Sequence, residues 1–76
     1  MDPLELISAD PAVCHGQACV RGTRIPVSVV LDALAEGMTE ADILAGYPSL
    51  TVEGIRAAAA YGAALAREEL VLLRER

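Results

Sequence analysis

Beyond residue 26 the apolar positions of this chain fall at helical spacing. Val27, Val30, Leu31 and Leu34 follow i, i+3, i+4, i+7, which puts them on one face of a helix. The spacing predicts a first helix over 27–36. Gly37 stands just past its end, where chains commonly turn into left-handed geometry. Thr39 and Asp42 make a variant of the capping box and open a second helix, with Ile43 and Leu44 as its buried residues. Pro48 disfavours helical geometry at Tyr47 and ends it. Thr51 caps a third, longer helix, with Glu53 in its first turn, where the dipole favours a carboxylate. Along it Val52, Ile55, Ala59, Gly62, Ala66, Leu70 and Leu73 recur every three or four residues, an unbroken apolar stripe. A second line, Ala58, Tyr61, Leu65 and Leu72, makes the C-terminal half apolar on two sides. Residues 57–60 and 62–64 are all Ala or Gly, small enough for another helix to approach closely.

Before residue 26 the pattern changes. Residues 1–11 hold Pro3 and Pro11 around Leu4, Leu6 and Ile7, and read as a loose arm with at most one edge strand. Val13 and Cys14, then His15-Gly16-Gln17, then Ala18, Cys19 and Val20 suggest a small hairpin with a three-residue turn. So short a hairpin has to pair or pack elsewhere. In the run Val20-Arg21-Gly22-Thr23-Arg24-Ile25-Pro26-Val27 an extended alternation breaks at a glycine. Pro26, with its fixed φ and no N–H, then suits the first turn of a helix. The run reads as a hinge carrying two arginines. The expected architecture is mainly α: an arm or short β-hairpin over 1–25, then a three-helix unit of helix–turn–helix type over 26–76, in one folding unit.

Seventy-six residues make one domain, whose core alone supplies on the order of a few kcal/mol. Two cysteines give at most one disulfide within the chain, so oligomerisation, most simply a dimer, is the expected remedy. The chain is 54% hydrophobic but 3% aromatic, without Phe or Trp. The core is therefore built from Leu, Val, Ile and Ala. Six basic residues, all arginine, face eleven acidic ones, for a net charge of −5. That balance disfavours non-specific binding to phosphate, whose affinity comes from neutralised phosphates. Residues 26–50 carry Asp32, Glu36, Glu40 and Asp42 and no basic residue, a field suited to a basic protein partner. Met1-Asp2-Pro3 does not resemble a secretion signal, and no apolar stretch approaches the ~18 residues of a membrane span. A soluble cytoplasmic protein with reduced thiols is expected.

The candidate chemistry is sparse. In a helix–turn–helix that reads DNA, the third helix enters the major groove by its N-terminal residues, here Thr51, Glu53, Gly54, Arg56 and Ala57. Of these only Arg56 offers a strong contact to guanine or phosphate, and Glu53 opposes phosphate. The same three helices also suit a plain assembly module. Cys14, His15 and Cys19 fall short of the four ligands of a structural zinc site, and no further Cys or His completes them. No metal or cofactor is expected. His15 has no serine or carboxylate at a motif spacing, and there is no phosphate-binding loop, so an enzyme is not expected. Arg21 and Arg24 have two readings. Either pairs with Asp10 or a helix carboxylate and fixes the arm, or inserts into an acidic pocket on a partner. Leu70 and Leu73 extend more apolar helix surface than one small domain can cover, which also points to a partner.

The arm, the R-G-T-R-I-P-V run and the helices after it resemble the small bacterial family known as domain of unknown function 433, grouped with homeodomain-like helix–turn–helix proteins. The matching residues are Ile7, Asp10-Pro11, Gly16, Val20 through Val27, Leu34, Gly37, Ile43, Leu44, Tyr47-Pro48, Leu50-Thr51, Ile55, Ala58 and Tyr61. They cover residues 7 to about 65. One departure is Gln17-Ala18, where relatives often carry a basic residue and a proline. The resemblance implies a small homeodomain-like helical domain with an extended arm. It further implies an antitoxin-like role beside a PIN-like ribonuclease toxin, whose acidic residues hold a divalent metal. Neutralisation would come from covering that site or inserting an arginine, with Arg21 and Arg24 as candidates. The resulting expectation is a non-enzymatic, dimeric antitoxin-like protein that binds its toxin and regulates its own operon. The alternatives are a stand-alone DNA-binding regulator and a homo-oligomeric assembly module.

Overall fold

The structure, a computed structural model, describes residues 2–8 and 17–73, and of residues 68–73 the helical backbone alone. A 3-10 helix, Pro3–Leu6, comes first, followed by β1 (Ile7–Ser8), β2 (Cys19–Val20), α1 (Val27–Ala35), α2 (Glu40–Gly46) and α3 (Val52–Leu73). The three helices and a short antiparallel strand pair near the N-terminus make a small helical bundle.

The helix boundaries are set by their caps. Thr39 Oγ1 accepts from the Asp42 N–H at 3.1 Å, and Asp42 Oδ2 accepts from the Thr39 N–H at 3.1 Å, a reciprocal capping box at the start of α2. Thr51 Oγ1 accepts from the Gly54 N–H at 3.0 Å and opens α3. α1 ends at Ala35, with Glu36 as its C-cap and Gly37 at φ 91°, a conformation nearly closed to residues with a Cβ. Pro26 lies one position outside α1, in extended geometry, as its N-cap.

Val20, Val27, Val30, Ala33, Ile43, Leu50, Ile55 and Ala58 form the core, with Leu31, Leu34, Leu44, Tyr47 and Tyr61 packed around it. Ile43 is fully buried and anchors the seven-residue α2. Along α3 the observed phase departs from the expected stripe. Gly54, Ile55, Ala57 and Ala58 are buried and Tyr61 and Gly62 half-buried, whereas Ala59 and Ala66 are exposed. Two elements set this phase. The N-terminal 3-10 helix packs mainly on α3, as does α1, so the buried face widens to hold both. At Gly62 α1 lies close by: a Cβ there would lie 2.9 Å from Leu31 Cδ1.

The N-terminal part corrects two expectations. Residues 2–8 of the arm are not loose. Asp2 Oδ1 caps the Leu4 N–H at 2.9 Å, Pro3 presets the first turn, and the short helix lies against α3. Nor does β2 pair as expected. Its partner is Ile7–Ser8, in antiparallel register with Ile7 opposite Val20 and Ser8 opposite Cys19. The expected Val13-Cys14 strand and most of the His15-Gly16-Gln17 turn lie outside the described residues. Among the described residues a tight turn stands at 20–25, where Gly22 supplies a positive φ and Thr23 supplies the hydrogen bonds.

Candidate functional site

The run of residues 20–25 folds back on itself so that β2 is flanked on both edges. On one side lies β1. On the other, the Val20 N–H donates to Ile25 O at 3.1 Å, the Val27 N–H donates to Ala18 O at 2.9 Å, and Cys19 bridges to Pro26. The Thr23 N–H donates to Val20 O at 3.0 Å, closing a four-residue turn with Gly22 third at φ 85°. A type II turn needs positive φ at that position. The Thr23 hydroxyl donates to Val20 O at 2.7 Å and accepts from the Ile25 N–H at 3.0 Å. One threonine thus braces the turn from within, and Cys19 is buried beneath it.

The two arginines on this turn do different things. Arg21 reaches back to the arm: its Nε donates to Glu5 O at 2.8 Å, its Nη2 to Ile7 O at 3.2 Å, and its backbone N–H to Leu6 O at 2.6 Å. It fixes the arm through main-chain carbonyls, where the sequence suggested Asp10 or a helix carboxylate; Asp10 itself lies outside the described residues. Arg24 is exposed and has no hydrogen bond or ion pair among the described residues. Among the described residues it is a cation on a braced turn with its guanidinium uncommitted.

The N-terminal end of α3 is a less open surface than its sequence suggested. Gly54 and Ala57 face inward; Ala57 is fully buried, and a Cβ on Gly54 would sit 3.0 Å from Val20 Cγ1. Thr51, Glu53 and Arg56 remain exposed. The Thr51 hydroxyl is occupied by its cap. Arg56 Nε lies 3.4 Å from Glu40 Oε2 on α2. Pro3 and Leu6 of the arm border Glu53 and Arg56 across a groove of about 210 Å³. The helix continues through Leu70 and Leu73, whose side chains, like Cys14 and His15, lie outside the described residues.

A feature the sequence reading did not assemble is a second groove, of about 370 Å³, between α1 and α3. Ala18, Val27, Leu31, Tyr61 and Leu65 line it, with Gln17 and Ser28 as its polar margin. Its α3 side belongs to the second apolar line of that helix, and Gly62 beneath Leu31 was the sign of the close approach. Among the described residues no group of three or more His, Cys, Asp and Glu could hold a metal ion, and no helix is long and apolar enough to cross a membrane.

Comparison with known proteins agrees with this geometry. The family model described as "Protein of unknown function (DUF433)" matches residues 7–62. The uncharacterized protein y4eO of Sinorhizobium fredii (strain NBRC 101917 / NGR234) is 38% identical over 60 residues, covering 79% of this chain and 27% of that protein. The crystal structure of a DUF433 member protein from Anabaena variabilis ATCC 29413, at 2.00 Å resolution, superposes with a TM-score of 0.68 at 43% identity, covering 74% of this chain and 55% of that one. This chain therefore spans about a quarter of the curated relative and about half of the solved one. On the match over residues 7–62, which holds both the braced arginine turn and the three-helix core, the chain belongs to the DUF433 family.

Proposed function

We propose that this chain is a non-enzymatic, antitoxin-like protein of the cytoplasm that acts as a dimer. It binds a PIN-like ribonuclease and neutralises it by seating Arg24 against the acidic residues of the nuclease's metal site. The observation that carries this reading is Arg24 itself, exposed and unpaired among the described residues, on a turn held by Gly22 and Thr23. A guanidinium presented without a local partner forms bidentate contacts to carboxylates at little ordering cost. The net charge of −5 favours a protein partner over nucleic acid, and any binding to the operon's own promoter then belongs to the complex.

Co-expression with the neighbouring nuclease gene tests the proposal. The chain restores growth, Arg24→Ala abolishes the rescue, and Arg24→Lys restores it only in part, because an ammonium cannot make the forked contact. Full rescue by Arg24→Ala, or a neighbour that is not toxic, would overturn it. In the second case a plain assembly module becomes the better reading.

A further inference from the structure

We propose that the groove between α1 and α3 is a docking site for a basic amphipathic helix of a partner protein. The groove of about 370 Å³ is floored by Ala18, Val27 and Leu31 and walled on the α3 side by Tyr61 and Leu65. Leu65 is 49% exposed, and among the described residues only Leu4 is a comparably exposed large apolar side chain. A Cβ on Gly62 would lie 2.9 Å from Leu31 Cδ1, so this groove-lining side chain would have to shift. The apolar floor asks for leucine-like anchors spaced along one helix face.

Charge selects the occupant. No arginine, lysine or histidine occurs from Ile25 to Ile55, a stretch with five carboxylates. On α1, Asp32 comes one turn after the groove-lining Ser28 on the same ridge, and both Asp32 and the C-cap Glu36 lie at least partly in solvent. Arg67, two residues beyond Leu65, projects from the far side of α3 by helix periodicity. The groove is thus apolar inside and negative along its α1 rim, which matches a helix with lysines or arginines flanking its apolar stripe. A second copy of this chain, also at −5, brings like charge to that rim. The inference stands apart from the nuclease reading, since it concerns a different surface and does not use Arg24.

The test is calorimetric titration of the full chain with a synthetic amphipathic helix of leucine and lysine of about five turns, at about 150 mM salt. Saturable one-to-one binding is expected. Leu65→Asp and Gly62→Ala should each weaken it by about tenfold or more, and Asp32→Asn by a smaller factor. Circular dichroism checks the fold of each variant; should Leu65→Asp not fold, Gly62→Ala, which favours the helix, decides. Absence of binding, or equal affinity for a scrambled peptide of the same composition, would overturn the proposal. So would variants that bind like the parent. A dimer seen by sedimentation and dissociated by Leu65→Asp would overturn it too, by assigning the groove to a second copy.

Discussion

Arg21 and Arg24 stand three positions apart on one turn, and their surroundings separate their roles. Arg21 spends its guanidinium on Glu5 and Ile7 carbonyls. Arg21→Ala removes two exposed hydrogen bonds, so it should cost about 1 kcal/mol and speed amide exchange in the arm, while exchange in α1 changes little. Hydrogen-exchange mass spectrometry reads both quantities. Arg24→Ala removes no contact within the described residues and should leave stability within about 0.5 kcal/mol. Between them Gly22 holds φ 85° with open space around it, so the cost of a side chain there is one of backbone and not of crowding. Gly22→Ala should therefore destabilise by about 1 kcal/mol, measurable by urea unfolding.

At the scale of elements, α2 is short enough to depend on its ends and on one anchor. Thr39→Ala breaks the capping box and should cost about 1 kcal/mol. Ile43→Ala empties a fully buried site and should cost about 3 kcal/mol, a large share of what so small a domain holds. Urea melts of the two variants check the ranking as well as the magnitudes. These helices were legible in the sequence because their caps act locally: Thr39 with Asp42, Thr51 with Gly54, and Gly37 past α1 each signal within four residues. The strand pairing was not. Ile7 meets Val20 across thirteen positions, and two-residue strands carry no period to read. The phase of α3 was obscured for a related reason. Its centre, Tyr61 apart, is all Ala and Gly, so Ala58 and Ala59 look alike in sequence, and only the packed arm and α1 make one buried and the other exposed. The arginine turn was visible as a motif. The division of labour on it was not, because Arg21's partners are main-chain carbonyls, which every residue has.

The whole molecule measures 41 × 29 × 26 Å, elongated by a third helix of about 33 Å. Its surfaces are sorted by character. The arginine turn carries a cation with no partner among the described residues, α1 and α2 carry carboxylates and no basic residue, and the α1–α3 groove is apolar. The exposed arginine nearest the start of α3 faces Glu40 and shares its surroundings with Glu53 and the arm. That distribution suits contact with other proteins better than unaided reading of DNA, whose affinity needs several phosphates neutralised at once. On the proposed function, Arg24 is the contact that silences a partner nuclease. That role is tested most directly by titrating the purified chain into the purified neighbouring nuclease cleaving an RNA substrate in the presence of its divalent metal. The parent chain should inhibit near-stoichiometrically and Arg24→Ala at least about tenfold more weakly; equal inhibition by the two proteins would rule out Arg24 as that contact.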